Sequence, residues 1–327
     1  MIMSSEEMNS YKEEMNNNEE MISYKEDMIS EEMRHPTRGV WCLAIHENKL
    51  YSGGGDKTIR VWDTNTHKLI DTLKGHTKDV LHIIIDGNKL YSGSSDNTIR
   101  IWDMETHKTI KILRGHIGRL CSMTLHENKV YSGSRDNTIH IWNTETYKKL
   151  ATLEGHTDEV HCLTVLKNKL YSGSWDGTIR IWDTETYEEI GVLNGVTGIL
   201  PSIVTSITND GNKLYSGHVD SYKNSGVHNY KATICVWAET QTETLEQIAT
   251  LEGQGHTFMI NCLTYHGNKL YCGAGSTIRV WNTETREEIA TLIGHTEIVY
   301  YLALHENKLY SSAVLEARRG LIRSWNV

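Results

Sequence analysis

The chain has 327 residues, 23% of them charged and 38% hydrophobic, with a formal net charge of -9. These proportions fit a water-soluble protein, and no apolar run approaches the roughly 20 residues that a helix needs to span a bilayer. Residues 1–34 hold ten acidic and three basic side chains and so carry most of the negative charge. No basic stripe is left to follow a phosphate backbone, so neither a nucleic-acid nor a membrane partner is expected.

The opening Met-Ile-Met-Ser-Ser-Glu-Glu has neither the basic start nor the apolar core of a secretory signal. Ser10-Tyr-Lys-Glu-Glu-Met recurs as Ser23-Tyr-Lys-Glu-Asp-Met, and seven of the ten methionines lie in residues 1–33. Met8, Met15, Ile22 and Ile29 are spaced seven apart, the stripe of a short acidic helix. Residues 1–27 therefore read either as a disordered low-complexity arm or as a short helix for self-association or a partner. Residues 28–327 read as the folded unit, expected to be monomeric.

From Val40 onward no segment keeps a helical period. The tryptophans keep another one. Trp62, Trp102, Trp142 and Trp182 are 40 residues apart, and Trp237, Trp281 and Trp325 follow at 55, 44 and 44. A fixed period of this size marks repeated supersecondary units that cannot bury their faces alone.

Residues 115–154 show one unit. Gly115-His116 opens it, and Leu120 to Leu125 is a first strand. His126-Glu127-Asn128-Lys129 turns, and Val130 to Ser134 is a second. Arg135-Asp136-Asn137 turns tightly before Thr138 to Trp142, and Asn143-Thr144-Glu145-Thr146 leads to Lys149 to Leu153. β-Branched and aromatic runs split by Asn, Asp, Gly and Ser turns predict a four-stranded antiparallel meander. Such a sheet hides both faces only when neighbours flank it radially. The expected fold is all-β, a seven-bladed β-propeller. Its last third strand, ending in Trp325-Asn326-Val327, would be closed by an N-terminal strand, Met28 to Met33; the alternative is a three-stranded blade with an exposed edge.

These residues resemble the WD-repeat family of seven-bladed propellers over roughly residues 35–327. The resemblance rests on Gly-His at 75–76, 115–116, 155–156, 255–256 and 294–295, and on Ser-x-x-x-Asp before Trp-Asp or Trp-Asn. It implies hydrogen-bonded structural tetrads of His76, Ser92, Asp96 and Trp102, of His116, Ser132, Asp136 and Trp142, and of His156, Ser172, Asp176 and Trp182. In each, Asp accepts from His, His from Ser, and Ser from the indole N–H. Recurrence in several units, each copy ending on a Trp, argues against a catalytic Ser-His-Asp set. The repeats depart from the pattern at Val196, at Cys272, at the turn after Ser311, and around Arg34-His35-Pro36. Blades five to seven are therefore expected to be the less rigid half.

Loops alternate between the two ends of a meander. One face carries the Gly-His and Asp turns, and variation concentrates there. Blade five has about 11 extra residues in its second-to-third loop, around Ser221 to Tyr230, and more near Gly198-Ile199-Leu200-Pro201. Blade seven has an insertion in Val314 to Gly320 with Arg318 and Arg319. The candidate partner-binding face comprises Trp41, Arg119, Arg135, His161, Trp175, Tyr222, Asn261, Tyr300 and Arg318. The repeat style is also similar to the propellers of F-box substrate receptors, though no F-box is present. That likeness implies phosphopeptide reading by Arg135 and Arg119 in a ubiquitin ligase. Cys121 stands at the phase where such arginines begin a strand, which leaves this an alternative.

The six cysteines form no Cys-x-x-Cys pair, so no metal, cofactor or disulfide is expected. A reducing compartment, cytoplasm or nucleus, fits this composition. The reading is a non-catalytic scaffold that binds proteins or peptides, with phosphorylated peptides as the alternative.

Overall fold

In the computed structural model each repeat folds as four antiparallel strands. The described residues are 23–24, 29–35, 39–194, 202–224, 227–240, 244–251, 259–314 and 320–327. Among them there is no helix. Blade three runs Leu120–His126, Lys129–Ser134, Ile139–Asn143 and Lys149–Leu153, paired in that order. Blades one, two, four, five and six repeat this order, starting at Val40, Val80, Val160, Ser202 and Ile260.

Blade seven begins at Val299–His305 and continues through Lys308–Val314 and Gly320–Asn326. Its fourth strand is Ile29–His35, which pairs antiparallel with Gly320–Asn326 and places Met33 opposite Ile322. Ile29 therefore belongs to a strand opposite Trp325, so the heptad stripe does not reach it as helix. Its other members, Met8, Met15 and Ile22, lie outside the described residues. Ser23–Tyr24 adds a short parallel strand beside Thr291 and Leu292 of blade six.

The core lies between blades. Tyr131, Ile139, Ile141 and Leu153 of blade three pack on Val160, Leu163, Leu170 and Trp182 of blade four. Each of the other neighbouring pairs shares a similar apolar layer. The layer of blades seven and one holds Tyr310, Ile322 and Met33 against Val40, Leu43, Leu50 and Trp62. Blades approach closely at the second strands: a Cβ on Gly133 would lie 2.8 Å from the Val160 side chain and 3.0 Å from its carbonyl oxygen.

Turn chemistry explains the residue after each tryptophan. Asp103 Oδ1 accepts the backbone N–H of Glu105 and Thr106, and Asn143 Oδ1 accepts those of Glu145 and Thr146. Either residue offers the oxygen that this turn needs, so Asp and Asn alternate there.

The insertion of blade five corrects a sequence expectation. It is not a loop: Lys213–Asn224 and Val227–Glu239 form one hairpin, paired as far as Asn224 and Val227.

Candidate partner-binding face

The tetrads fix the loops of one face. In blade two, His76 Nδ1 lies 2.9 Å from Asp96 Oδ2 and His76 Nε2 lies 2.7 Å from Ser92 Oγ. Trp102 Nε1 donates to the same Oγ at 2.8 Å. An ionised Asp only accepts, so Nδ1 carries the proton and Nε2 accepts from Ser92. Asp96 also accepts the backbone N–H of Thr77 and of Thr98, tying together two loops from separate connections. Burial opposes its charge, but bonds from His76, Thr98 and Thr77 outweigh that and hold its carboxyl well below the usual range. Blades three and four repeat the arrangement through Asp136 and Asp176.

Other blades improvise. His218, two residues beyond Ser216 on the same strand, bonds Ser216 Oγ at 2.7 Å, and Trp237 donates to that oxygen. This histidine was missed because the expected site is the Gly-His turn, where Val196 stands outside the described residues. Blade seven keeps His295, Ser311 and Trp325 in line. In blade three, His140 stacks on His116 with ring centroids 3.7 Å apart.

On this frame the variable side chains are displayed. Every first strand has a β-bulge near its start. The bulged residues are Trp41, Leu81, Cys121, His161, Thr205, Asn261 and Tyr300, all half-buried except buried Thr205. A bulge re-aims one side chain without breaking the sheet. Trp41 meets Tyr300 edge-on at 4.9 Å, and His161 stacks on Trp175 at 5.7 Å. The indole N–H groups of Trp41 and Trp175 have no partner among the described residues. His161 Nδ1 contacts the Thr205 carbonyl at 3.0 Å, and burial lowers its pKa. Asn261 bonds weakly to the Met259 carbonyl at 3.4 Å and joins neither aromatic pair.

The two arginines are not free. Glu159, buried at the start of blade four, accepts from Arg119 Nη2 at 2.9 Å and forms an ion pair with Arg135, Nε to Oε1 2.8 Å. Sequence reasoning missed it, because Asp158-Glu159 looks like a solvated loop pair. The backbone N–H of Arg135 donates to Arg119 O, and that of Trp175 to Glu159 O, so the cluster and the aromatic pair share loops. Ile117, 87% exposed in the same connection as Arg119, also escaped notice. Tyr222 lies on the blade-five hairpin, opposite Asn229. Arg318 lies outside the described residues. Among those described, no group of three or more His, Cys, Asp or Glu side chains could hold a metal ion.

Comparisons with known proteins agree with this architecture. The family described as "WD domain, G-beta repeat" matches residues 30–63, 67–103, 107–143, 147–183 and 245–282, more than half of the chain. The chain is 50% identical over 38 residues to WD repeat-containing protein pop2 of Schizosaccharomyces pombe. It is 42% identical over 38 residues to myosin heavy chain kinase C of Dictyostelium discoideum. Each match covers 12% of this chain and 5% of the other protein, so the chain spans only a small part of these relatives. The computationally designed Ika8 protein superposes with a TM-score of 0.68 at 26% identity, covering 90% of this chain and 98% of Ika8. With seven four-stranded blades, repeated Ser-Trp and His-Asp bonds and five matched repeats, the chain belongs to the WD-repeat family.

Proposed function

We propose that the chain is a non-catalytic scaffold that docks proteins or peptides on its bulge-bearing face. One observation carries this reading. The frame is nearly uniform from blade to blade, whereas the bulged residues run from Trp to Cys, His, Asn and Tyr. Paired, half-buried aromatics on a rigid support suit interface anchors. A second reading, a ubiquitin-ligase receptor for phosphorylated peptides, needs arginines able to take a dianion. Pairing of Arg119 and Arg135 with Glu159 favours the first. A monomer in a reducing compartment, cytoplasm or nucleus, fits the six free thiols.

Affinity capture with the wild type and a Trp175→Ala/Tyr300→Ala variant tests the face. Partners retained by the wild type and lost by the variant support it. Partners held equally by both sink it. Ligase adaptor subunits among the captured proteins would favour the receptor reading.

A further inference from the structure

The Arg119–Glu159–Arg135 cluster has a charge balance that selects its ligand. Glu159 is 4% exposed; its Oε2 accepts from Arg119 Nη2, with the Cys121 thiol 3.8 Å away, and its Oε1 forms an ion pair with Arg135 Nε. Counting these three side chains alone, two guanidiniums against one carboxylate leave a single positive charge. The Arg135 side chain is 62% exposed and pairs through Nε. Its Nη1 and Nη2 are a planar pair of donors whose geometry matches a carboxylate. Arg119 supports the cluster from below, since its own side chain is more covered and one Nη is committed to Glu159.

The same positions in other blades lack this chemistry. The backbone bond that joins Arg135 to Arg119 joins Ser95 to Asp79 in blade two and Gly55 to Gly39 in blade one. Only blades three and four, among these, place two cations beside a buried anion and an aromatic pair.

The geometry points to a carboxylate subsite, in which Arg135, positioned by Glu159 and Arg119, binds an Asp or Glu side chain of a docked peptide. This rests on the reading of the loop face as the docking surface. One carboxylate neutralises the cluster. A phosphate ester carries about −1.5 to −2 at pH 7, so its second charge would stand uncompensated near the Glu159 carboxylate. Glu159 thereby selects a monoanion over phosphate. Trp175, stacked on His161 one loop away, offers an apolar surface for a neighbouring residue of the same peptide.

The test uses the full chain and a synthetic peptide library. One position carries Asp, Glu, Asn, Gln, phosphoserine or phosphothreonine. Acidic peptides should bind the wild type at least about tenfold more tightly than their amide counterparts. Arg135→Ala, with Arg119 still paired to Glu159, should erase that preference with only a small fall in melting temperature. Glu159→Gln should shift the preference toward phosphopeptides. The proposal is overturned by wild-type preference for phosphopeptides, by absence of any acidic preference, or by a preference that survives Arg135→Ala. The two readings fail differently. Equal binding by wild type and Trp175→Ala/Tyr300→Ala removes the docking face itself. Loss of binding in that variant, with the acidic preference unmoved in Arg135→Ala, leaves the face standing and removes the carboxylate subsite.

Discussion

Ser132 Oγ is the node of blade three, accepting the Trp142 indole N–H and donating to His116, both at 2.9 Å. Ser132→Ala strands two buried polar groups, each costing about 1–3 kcal/mol when unsatisfied. Denaturant unfolding should show a loss of about 3 kcal/mol, and a loss below about 1 kcal/mol would deny the network its structural role. Acid should act through neighbouring groups. Burial pushes His140 and His218 down to about 4 and His295 to about 3. An unfolded histidine takes up a proton near pH 6.5. Between there and about 4 the unfolded chain binds protons that the folded chain refuses, so stability falls as pH falls. The carboxyls of Asp96, Asp136 and Asp176, held below the usual range, extend the loss under the ordinary carboxylate pKa. His140 faces His116, Asp136 and Lys149, and its position is Arg60, Arg100, Arg180, Arg279 and Arg323 in other blades. His140→Arg should therefore flatten the decline in melting temperature between pH 7 and about pH 5. An unchanged slope would place the acid sensitivity elsewhere. The tetrads were legible because their spacing recurs. His218 and Glu159 were not, because each occurs once and its partner is set by the fold.

At the element scale, local alternation and turn residues were enough to place the strands of the regular blades. They failed where composition misled. Ser221 to Tyr230 is rich in Ser, Asn and Gly, which reads as loop, yet the flanking strands extend into it as far as Asn224 and Val227. The bulges were also invisible, since one extra residue does not disturb a period of 40. Blades two to four carry complete tetrads, whereas blade six has Cys272 in place of Ser and blade seven has no turn Asp. Bonds that tie two loops to one carboxylate raise the cost of local opening. Hydrogen exchange should therefore be slowest in the second and third strands of blades two to four, and faster in blades six and seven. Blade five, with His218 in place, should fall between. Equal protection in all blades would mean that interblade packing alone sets the opening energy.

Two kinds of contact meet where blades seven and one adjoin, and they can be separated. Apolar packing joins Tyr310 and Ile322 to Val40, Leu43, Leu50 and Trp62 across blades seven and one. Strand pairing joins Ile29–His35 to Gly320–Asn326, with Met33 2% exposed in the shared layer. The Trp period announced seven units, but the closing segment has Glu31 and Glu32 in succession where most other fourth strands hold apolar residues or Thr, so pattern alone marked it weakly. Deleting residues 26–34 removes most of the paired strand and takes Met33 out of the shared layer, while Tyr310 and Ile322 remain to pack on Val40, Leu43, Leu50 and Trp62. Loss of a buried Met side chain alone costs about 2–5 kcal/mol. At about 2–4 °C per kcal/mol for a large domain, the melting temperature should fall by roughly 10 °C or more. Met33→Ala, which keeps the strand, should cost less than the deletion. If the two changes cost the same, the backbone pairing contributes nothing and apolar packing closes the ring. If neither lowers the melting temperature, the opening segment does not seal the propeller at all.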